Sequence, residues 1–278
     1  KVGKYYYLMC AEGGTCDFHS EVILRAKDPM GPWEEYTEGN PILTQRTGLD
    51  PNRPDIVTSA GHADIVQGPK GDWWAVFLAC RPYQDDFYNT GRDTYLLPVT
   101  WKDGWPTILD KGLVVPTVNK KAGLQHEDGL CNTGNFSYVD RFDSNKLDMR
   151  WMYLRNQDFS NYSLGSNGLT IKASDANIHE VKPITAVFRR QQHNTFTAET
   201  EVTFNPANDK EMAGFVLLQN ENYNFTFGKT KVGGRTAIVL TRAEKNNVVV
   251  GSKFLCDKCA DRPVKLKIHG DGRYYDFS

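Results

Sequence analysis

Residues 5–15 read YYYLMCAEGGT, an apolar run of strand length that ends in a carboxylate and two glycines. Further short apolar runs follow at 22–24, 73–79 and 93–97. Runs that are apolar on both faces are typical of strands covered on both sides, as in stacked propeller blades or sandwiched sheets. Because no stretch between residues 1 and 115 repeats its apolar residues with a helical period, we expect this half to form an all-β domain.

The second half of the chain has a different hydrophobic pattern. Residues 116–133 show no periodicity and are predicted to be a linker. Residues 195–204, TFTAETEVTF, approximate a two-residue alternation, which indicates a strand with one solvated face. Similar strands at short spacing predict an antiparallel β-sandwich over 134–278. Because the sequence ends within what looks like a final strand, this sandwich is expected to be truncated at its C-terminal end.

The overall charge bears on the class of partner. Lys and Arg number 33, Asp and Glu number 34, and the formal net charge is −1. Such a balance argues against a general electrostatic surface for nucleic acid or for an anionic membrane. No stretch approaches the roughly 18 apolar residues of a membrane span. The composition is compatible with a neutral substrate such as a sugar.

The six cysteines are too sparse for a disulfide-built scaffold. Cys256 and Cys259 form a single CxxC pair, and no second pair stands at the spacing of a zinc knuckle. Two ordinary thiols or a local disulfide are therefore favoured over a zinc site at this position, and the sequence leaves the choice between those two open.

Three polar residues beside glycines are candidates for chemistry. Glu12 follows the first apolar run and precedes two glycines, which lets a ligand approach the backbone closely. A carboxyl group there suits a general acid if burial favours its protonated form. His62 and Arg92 each follow a glycine at the start of an apolar strand. Each also has a plain structural interpretation, namely a turn glutamate, a hydrogen-bonded histidine and an ion-pair partner of Asp93. The repeated arrangement favours a shared site, because propellers place such residues around one centre.

Several short motifs follow one another along the chain. In order they are AEGGT at 11–15, His19, GPWE at 31–34, GHAD at 61–64, GRDT at 91–94, FRRQQH at 188–193 and AGF at 213–215. As an ordered set they resemble glycoside hydrolase family 43, on the branch that holds β-xylosidases and α-L-arabinofuranosidases. The resemblance covers nearly the whole chain. It implies an all-β fold in which residues 1–115 are the C-terminal portion of a five-bladed β-propeller, followed by the accessory sandwich.

The resemblance also implies an activity and a role for each candidate residue. Enzymes of this branch act as exo-acting, inverting glycoside hydrolases that release xylose or arabinose from xylan-type oligosaccharides. Glu12 is then expected to be the general acid. His62 and Arg92 are expected to bind the sugar or organise the site, and His19 is expected to line the pocket less directly. A non-catalytic carbohydrate-binding protein on the same scaffold is the alternative function.

Two further carboxylates of the family mechanism have no matching motif here. The aspartate base and the aspartate that tunes the acid are expected on the N-terminal part of the propeller, so the chain alone is expected to be inactive. No cofactor is expected. The resemblance leaves room for a structural calcium ion, for a metal contacted by His62 through water, and for a homo-oligomer. A secreted or extracellular location is predicted, with the cytoplasm left open.

Overall fold

The computed structural model describes residues 1–120, 134–245 and 247–278. The predicted linker at 116–133 therefore falls mostly outside the described residues. The chain divides into two compact units. Among the described residues, unit 1 comprises 1–120 and 191–194, and unit 2 comprises 134–190, 195–245 and 247–278. In the described part of the chain, the only helices are two single 3₁₀ turns, Phe159–Asn161 and Asp257–Cys259, and none is long and apolar enough to cross a membrane.

The first sheet of unit 1 is organised around one central strand. Its members are β1 (Tyr6–Glu12), β2 (Ser20–Ala26), β3 (Glu34–Glu35) and β4 (Leu43–Thr44). Strand β2 pairs antiparallel with β1 on one side and with both β3 and β4 on the other. The register places Glu12 opposite Ser20, and Ser20 opposite Thr44. The ends of three strands therefore meet where the YYYLMCAEGGT segment turns.

The second sheet of unit 1 is an antiparallel meander of four strands. They are β5 (Thr58–Gln67), β6 (Trp73–Cys80), β7 (Asp93–Lys102) and β8 (Trp105–Thr107), paired in chain order. Pairing between β5 and β6 is interrupted twice, between Thr58 and Gly61 and again between Gly61 and Asp64. Such bulges bend a strand and redirect its side chains, and they are frequent beside active sites.

The core of unit 1 lies between these two sheets. It joins Ile23 of the first sheet to Phe77 and Leu97 of the second, and all three are at least 97% buried. Alanines at 60 and 63 on β5 leave room for the sheets to approach. Two four-stranded antiparallel sheets stacked face to face are the arrangement of neighbouring propeller blades. The prediction that the first half is part of a β-propeller is confirmed.

Unit 2 contains two larger sheets and one hairpin. Its strands are β9 (Tyr162–Gly165), β10 (Gly168–Ile171), β11 (Thr195–Val202), β12 (Ala213–Asn220), β13 (Tyr223–Val232), β14 (Arg235–Glu244), β15 (Asn247–Leu255), β16 (Val264–Asp271) and β17 (Tyr274–Phe277). One sheet has the order β12–β13–β14–β15 and the other β11–β16–β17. Phe227 of β13 packs with Val264 and Leu266 of β16, which joins the two sheets through their inner faces. The predicted antiparallel β-sandwich is confirmed.

The CxxC pair forms a local disulfide between Cys256 and Cys259, one of the two arrangements that the sequence left open. The segment that follows the disulfide is hydrogen-bonded to Lys229, which is fully buried. The Lys229 ammonium donates to the carbonyl oxygens of Ala260 at 2.8 Å and Arg262 at 3.1 Å. Burial lowers the pKa of Lys229 from its ordinary value. These contacts give the CxxC segment a structural role within the sandwich.

Candidate active site

Three candidate residues of unit 1 lie at or beside strand ends, and the fourth, His62, lies within β5. Glu12 is the last residue of β1, and His19 immediately precedes β2. In the second sheet, Thr58 pairs with Cys80 and Ala79 pairs with Asp93, so Arg92 stands at the same end of the meander as the start of β5. Side chains carried on strand ends are held by the sheets behind them, which gives a site a rigid support.

Glu12 is partly exposed and is engaged by an arginine that the sequence did not single out. Its side chain is 40% exposed, and Arg46 Nη2 donates to Glu12 Oε1 at 3.0 Å. Arg46 Nη1 also donates to the carbonyl oxygen of Phe18 at 3.2 Å. Arg46 therefore ties the glutamate to the turn that follows it. In this arrangement Glu12 is a hydrogen-bond acceptor, and Oε1 is already occupied.

His19 lies inside unit 1 rather than on its surface. It is only 2% exposed, and its Nδ1 is hydrogen-bonded to the Gly14 carbonyl. The Nε2 atom is buried and has no hydrogen-bond partner within the described ranges. The ring packs directly against Gly61, because a Cβ placed on Gly61 lies 2.6 Å from His19 Cδ2. His19 thus connects the glycine turn after Glu12 to the strand that carries His62.

We expect Gly61→Ala to destabilise unit 1 by about 1–3 kcal/mol, because the added methyl group overlaps the buried His19 ring and forces it or the backbone to shift. The measurement is urea unfolding of the complete protein. Gly165→Ala is the matched control, since a Cβ there meets nothing within 4 Å and should change stability by less than about 0.5 kcal/mol. Equal effects of the two substitutions would contradict the close packing of His19 on Gly61.

His62 is exposed and sits in an unusual backbone conformation. Its φ is 54°, in the left-handed region, and it lies within the second interruption in the pairing of β5, between Gly61 and Asp64. A residue with a side chain adopts this conformation at an energetic cost, so the surroundings must hold it there. The following amide, that of Ala63, donates to Glu21 Oε2 at 2.9 Å. Glu21 is 1% exposed, and burial raises the pKa of its carboxyl group.

Arg92 is exposed and immediately precedes β7. Its neighbour in sequence, Asp93, forms an ion pair with a different arginine. Asp93 is paired with Arg81, whose Nε and Nη2 donate to the two carboxylate oxygens at 2.7 and 3.2 Å. The interpretation of Arg92 as the ion-pair partner of Asp93 is therefore wrong. Nearby, Cys80 is buried at the end of β6, and burial raises the pKa of its thiol.

Arg46, Glu21 and Arg81 were not identified from the sequence. Their hydrogen-bond partners are 12 or more residues away in the chain. Arg46 binds Glu12, Glu21 binds the amide of Ala63, and Arg81 binds Asp93. The strand register is the signal that points to Arg46. Ser20 pairs with both Glu12 and Thr44, and Arg46 lies two residues after Thr44, so it is near Glu12. Within the described ranges, no group of three or more His, Cys, Asp or Glu side chains is arranged to hold a metal ion.

Residues 1–106 match the model of glycosyl hydrolases family 43. Residues 139–278 match the model of the beta xylosidase C-terminal concanavalin A-like domain. The chain belongs to glycosyl hydrolases family 43. The resemblance drawn from the ordered motifs is thereby confirmed, and the two matched ranges correspond to the propeller sheets and to the sandwich of this family 43 chain.

Relatives of this family 43 chain carry two kinds of name. A non-reducing end alpha-L-arabinofuranosidase of Bacteroides ovatus is 35% identical over 256 residues, which cover 90% of the chain and 46% of the relative. A beta-xylosidase of Bacillus subtilis is 32% identical, over 80% of the chain and 42% of the relative. A crystal structure of a GH43_12 protein from a capybara gut metagenome is 36% identical with a TM-score of 0.87, covering all of this chain and 52% of that one. The chain spans about half the length of these relatives.

Proposed function

We propose that the complete protein is an exo-acting, inverting glycoside hydrolase that releases xylose, arabinose or both from xylan-type oligosaccharides. The observation that carries the proposal is Glu12, a partly exposed carboxyl group at a strand end beside two glycines, at the edge of unit 1 where His19 reaches the strand of His62. Membership of family 43 and the names of the relatives support the reaction and the class of sugar.

In this proposal Glu12 is the general acid and donates its proton to the leaving glycosidic oxygen. A carboxylate base, supplied by a part of the propeller outside this chain, removes a proton from water, and that water attacks the anomeric carbon from the opposite face. The base and the acid stand roughly 6.5–9.5 Å apart to admit the water. Because Arg46 occupies Oε1 of Glu12, we assign the transferred proton to Oε2.

The other candidate residues bind and orient the sugar. His62 and Arg92 are exposed polar groups that can donate hydrogen bonds to its hydroxyls. His19 supports the site from behind, because its ring joins the Gly14 carbonyl to Gly61. The proposed reaction uses carboxyl groups and water, so no cofactor takes part in it. The Cys256–Cys259 disulfide supports a secreted or extracellular location, since disulfides persist in oxidising compartments.

The test is a substrate panel with the complete protein. We expect hydrolysis of nitrophenyl β-xyloside, nitrophenyl α-L-arabinofuranoside or both, and release of single sugars from the non-reducing ends of oligosaccharides. Proton NMR of the first product should show the anomer opposite to that of the substrate. Binding of xylo-oligosaccharides without turnover would instead identify a carbohydrate-binding protein. Release of oligosaccharides rather than monosaccharides would contradict exo cleavage.

A further inference from the structure

Glu21 is a buried carboxyl group that the proposed reaction does not use. It lies on β2, where it pairs with Ala11 of β1 and with the buried Leu43 of β4, and it is 1% exposed. Its carboxyl group accepts a hydrogen bond from the backbone amide of Ala63. Burying a carboxylate is unfavourable unless polar partners compensate it. A buried carboxyl group at this position therefore suggests a polar function that an apolar residue could not perform.

The partners of Glu21 lie in the interrupted part of β5. A bulge leaves amides without their ladder partners, and buried amides need an acceptor. Glu21 Oε2 accepts from the Ala63 amide at 2.9 Å, directly beyond His62. His62 itself has φ of 54° and is exposed, whereas Ala63 after it is buried. The carboxyl group thus holds the backbone in the conformation that presents the imidazole.

We propose that Glu21 is a positioning residue for His62. It fixes the left-handed backbone of His62 by accepting the hydrogen bond of the Ala63 amide, which belongs to the peptide group directly after the His62 α-carbon, and so sets where the imidazole meets the sugar. The inference rests on the proposed function, in which His62 binds the substrate. A carboxylate suits this task because it only accepts hydrogen bonds, and those it forms are stronger than the bonds of a neutral acceptor.

The experiment is a double-mutant cycle in the complete protein, with kcat and KM measured on a nitrophenyl glycoside. The variants are Glu21→Leu, His62→Asn and the two combined. Asparagine is chosen because it tolerates the left-handed conformation, which separates loss of the imidazole from loss of the backbone. We expect Glu21→Leu alone to lower kcat/KM roughly tenfold, and less than about twofold when His62→Asn is already present, because residues that act together are not additive.

Two further variants separate positioning from general stability. Glu21→Gln keeps one oxygen acceptor and should recover most of the activity. Ile23→Ala lies two residues along on the same face of β2 and is equally buried. It should lower the melting temperature but should leave the activity per folded molecule, and the effect of His62→Asn, unchanged. If Glu21→Leu does not fold, the cycle is run with Glu21→Gln, whose smaller effect must still vanish in the His62→Asn background.

The outcomes distinguish this inference from the proposed function. Independent, multiplicative losses from Glu21→Leu and His62→Asn would overturn the positioning role while leaving the hydrolase intact. Normal activity of His62→Asn would remove His62 from substrate binding, and the role of Glu21 with it. A complete protein that hydrolyses none of the glycosides would contradict the proposed function itself.

Discussion

Glu12→Gln in the complete protein is expected to slow the hydrolysis of natural xylo- or arabino-oligosaccharides by roughly 10²–10⁴-fold, the usual contribution of a general acid. Glutamine nearly preserves the shape of the side chain, and its carbonyl oxygen can still accept from Arg46. It carries no acidic proton to donate. The loss should therefore fall on kcat far more than on KM.

The leaving group provides the sharpest test of this role. A nitrophenolate leaves readily without protonation, so the nitrophenyl substrate should lose much less activity than the natural one. Glu35→Gln is the matched control, because Glu35 is an exposed glutamate of β3, and its replacement should leave both rates near those of the parent protein. Equal losses on the two substrate classes would exclude Glu12 as the proton donor.

Phe77→Ala is expected to destabilise unit 1 by about 3–5 kcal/mol, because it removes a large side chain from a packed core and leaves a cavity. Phe77 is 3% exposed on β6 and stacks on Tyr95, with ring centroids 5.6 Å apart. Loss of the stacked pair adds to the loss of buried area. Urea unfolding of the complete protein should show a lower midpoint, reported by the tryptophans of the propeller sheets.

The same substitution at an exposed phenylalanine controls for the change of side chain. Phe87 is 60% exposed in the loop before β7, so Phe87→Ala should alter stability by less than about 0.5 kcal/mol. A small effect of Phe77→Ala, comparable to that of Phe87→Ala, would show that the two sheets of unit 1 are not packed through this residue.

The strands and their grouping into two all-β units could be predicted because they depend on local sequence. Apolar runs such as 73–79 identify buried strands, and the alternation over 195–204 identifies a strand with one wet face. The glycine that follows Glu12 could likewise be read as a turn, and Gly13 indeed has φ of 75°. These signals are encoded within a few residues, so no knowledge of pairing is needed to use them.

The partners of the candidate site residues could not be predicted in the same way. Glu12 and Arg46 are 34 residues apart, and Glu21 and Ala63 are 42 apart. In both pairs, the sequence around one residue does not indicate which distant residue is its partner. Asp93 is an example, since the sequence left Arg92 either as its ion-pair partner or as a ligand-binding residue, and the structure pairs Asp93 with Arg81.

The all-β class of this chain, its two parts and its ordered family 43 motifs, with Glu12 beside a glycine turn, follow from local sequence alone. The contacts of Arg46 with Glu12, of His19 with Gly61, and of the Glu21 carboxyl group with the Ala63 amide become visible only in the folded chain. The physical reason is that strand formation follows from the polarity of successive residues. Contacts between strand ends depend instead on register, bulges and sheet stacking, which arise only when distant segments pack together.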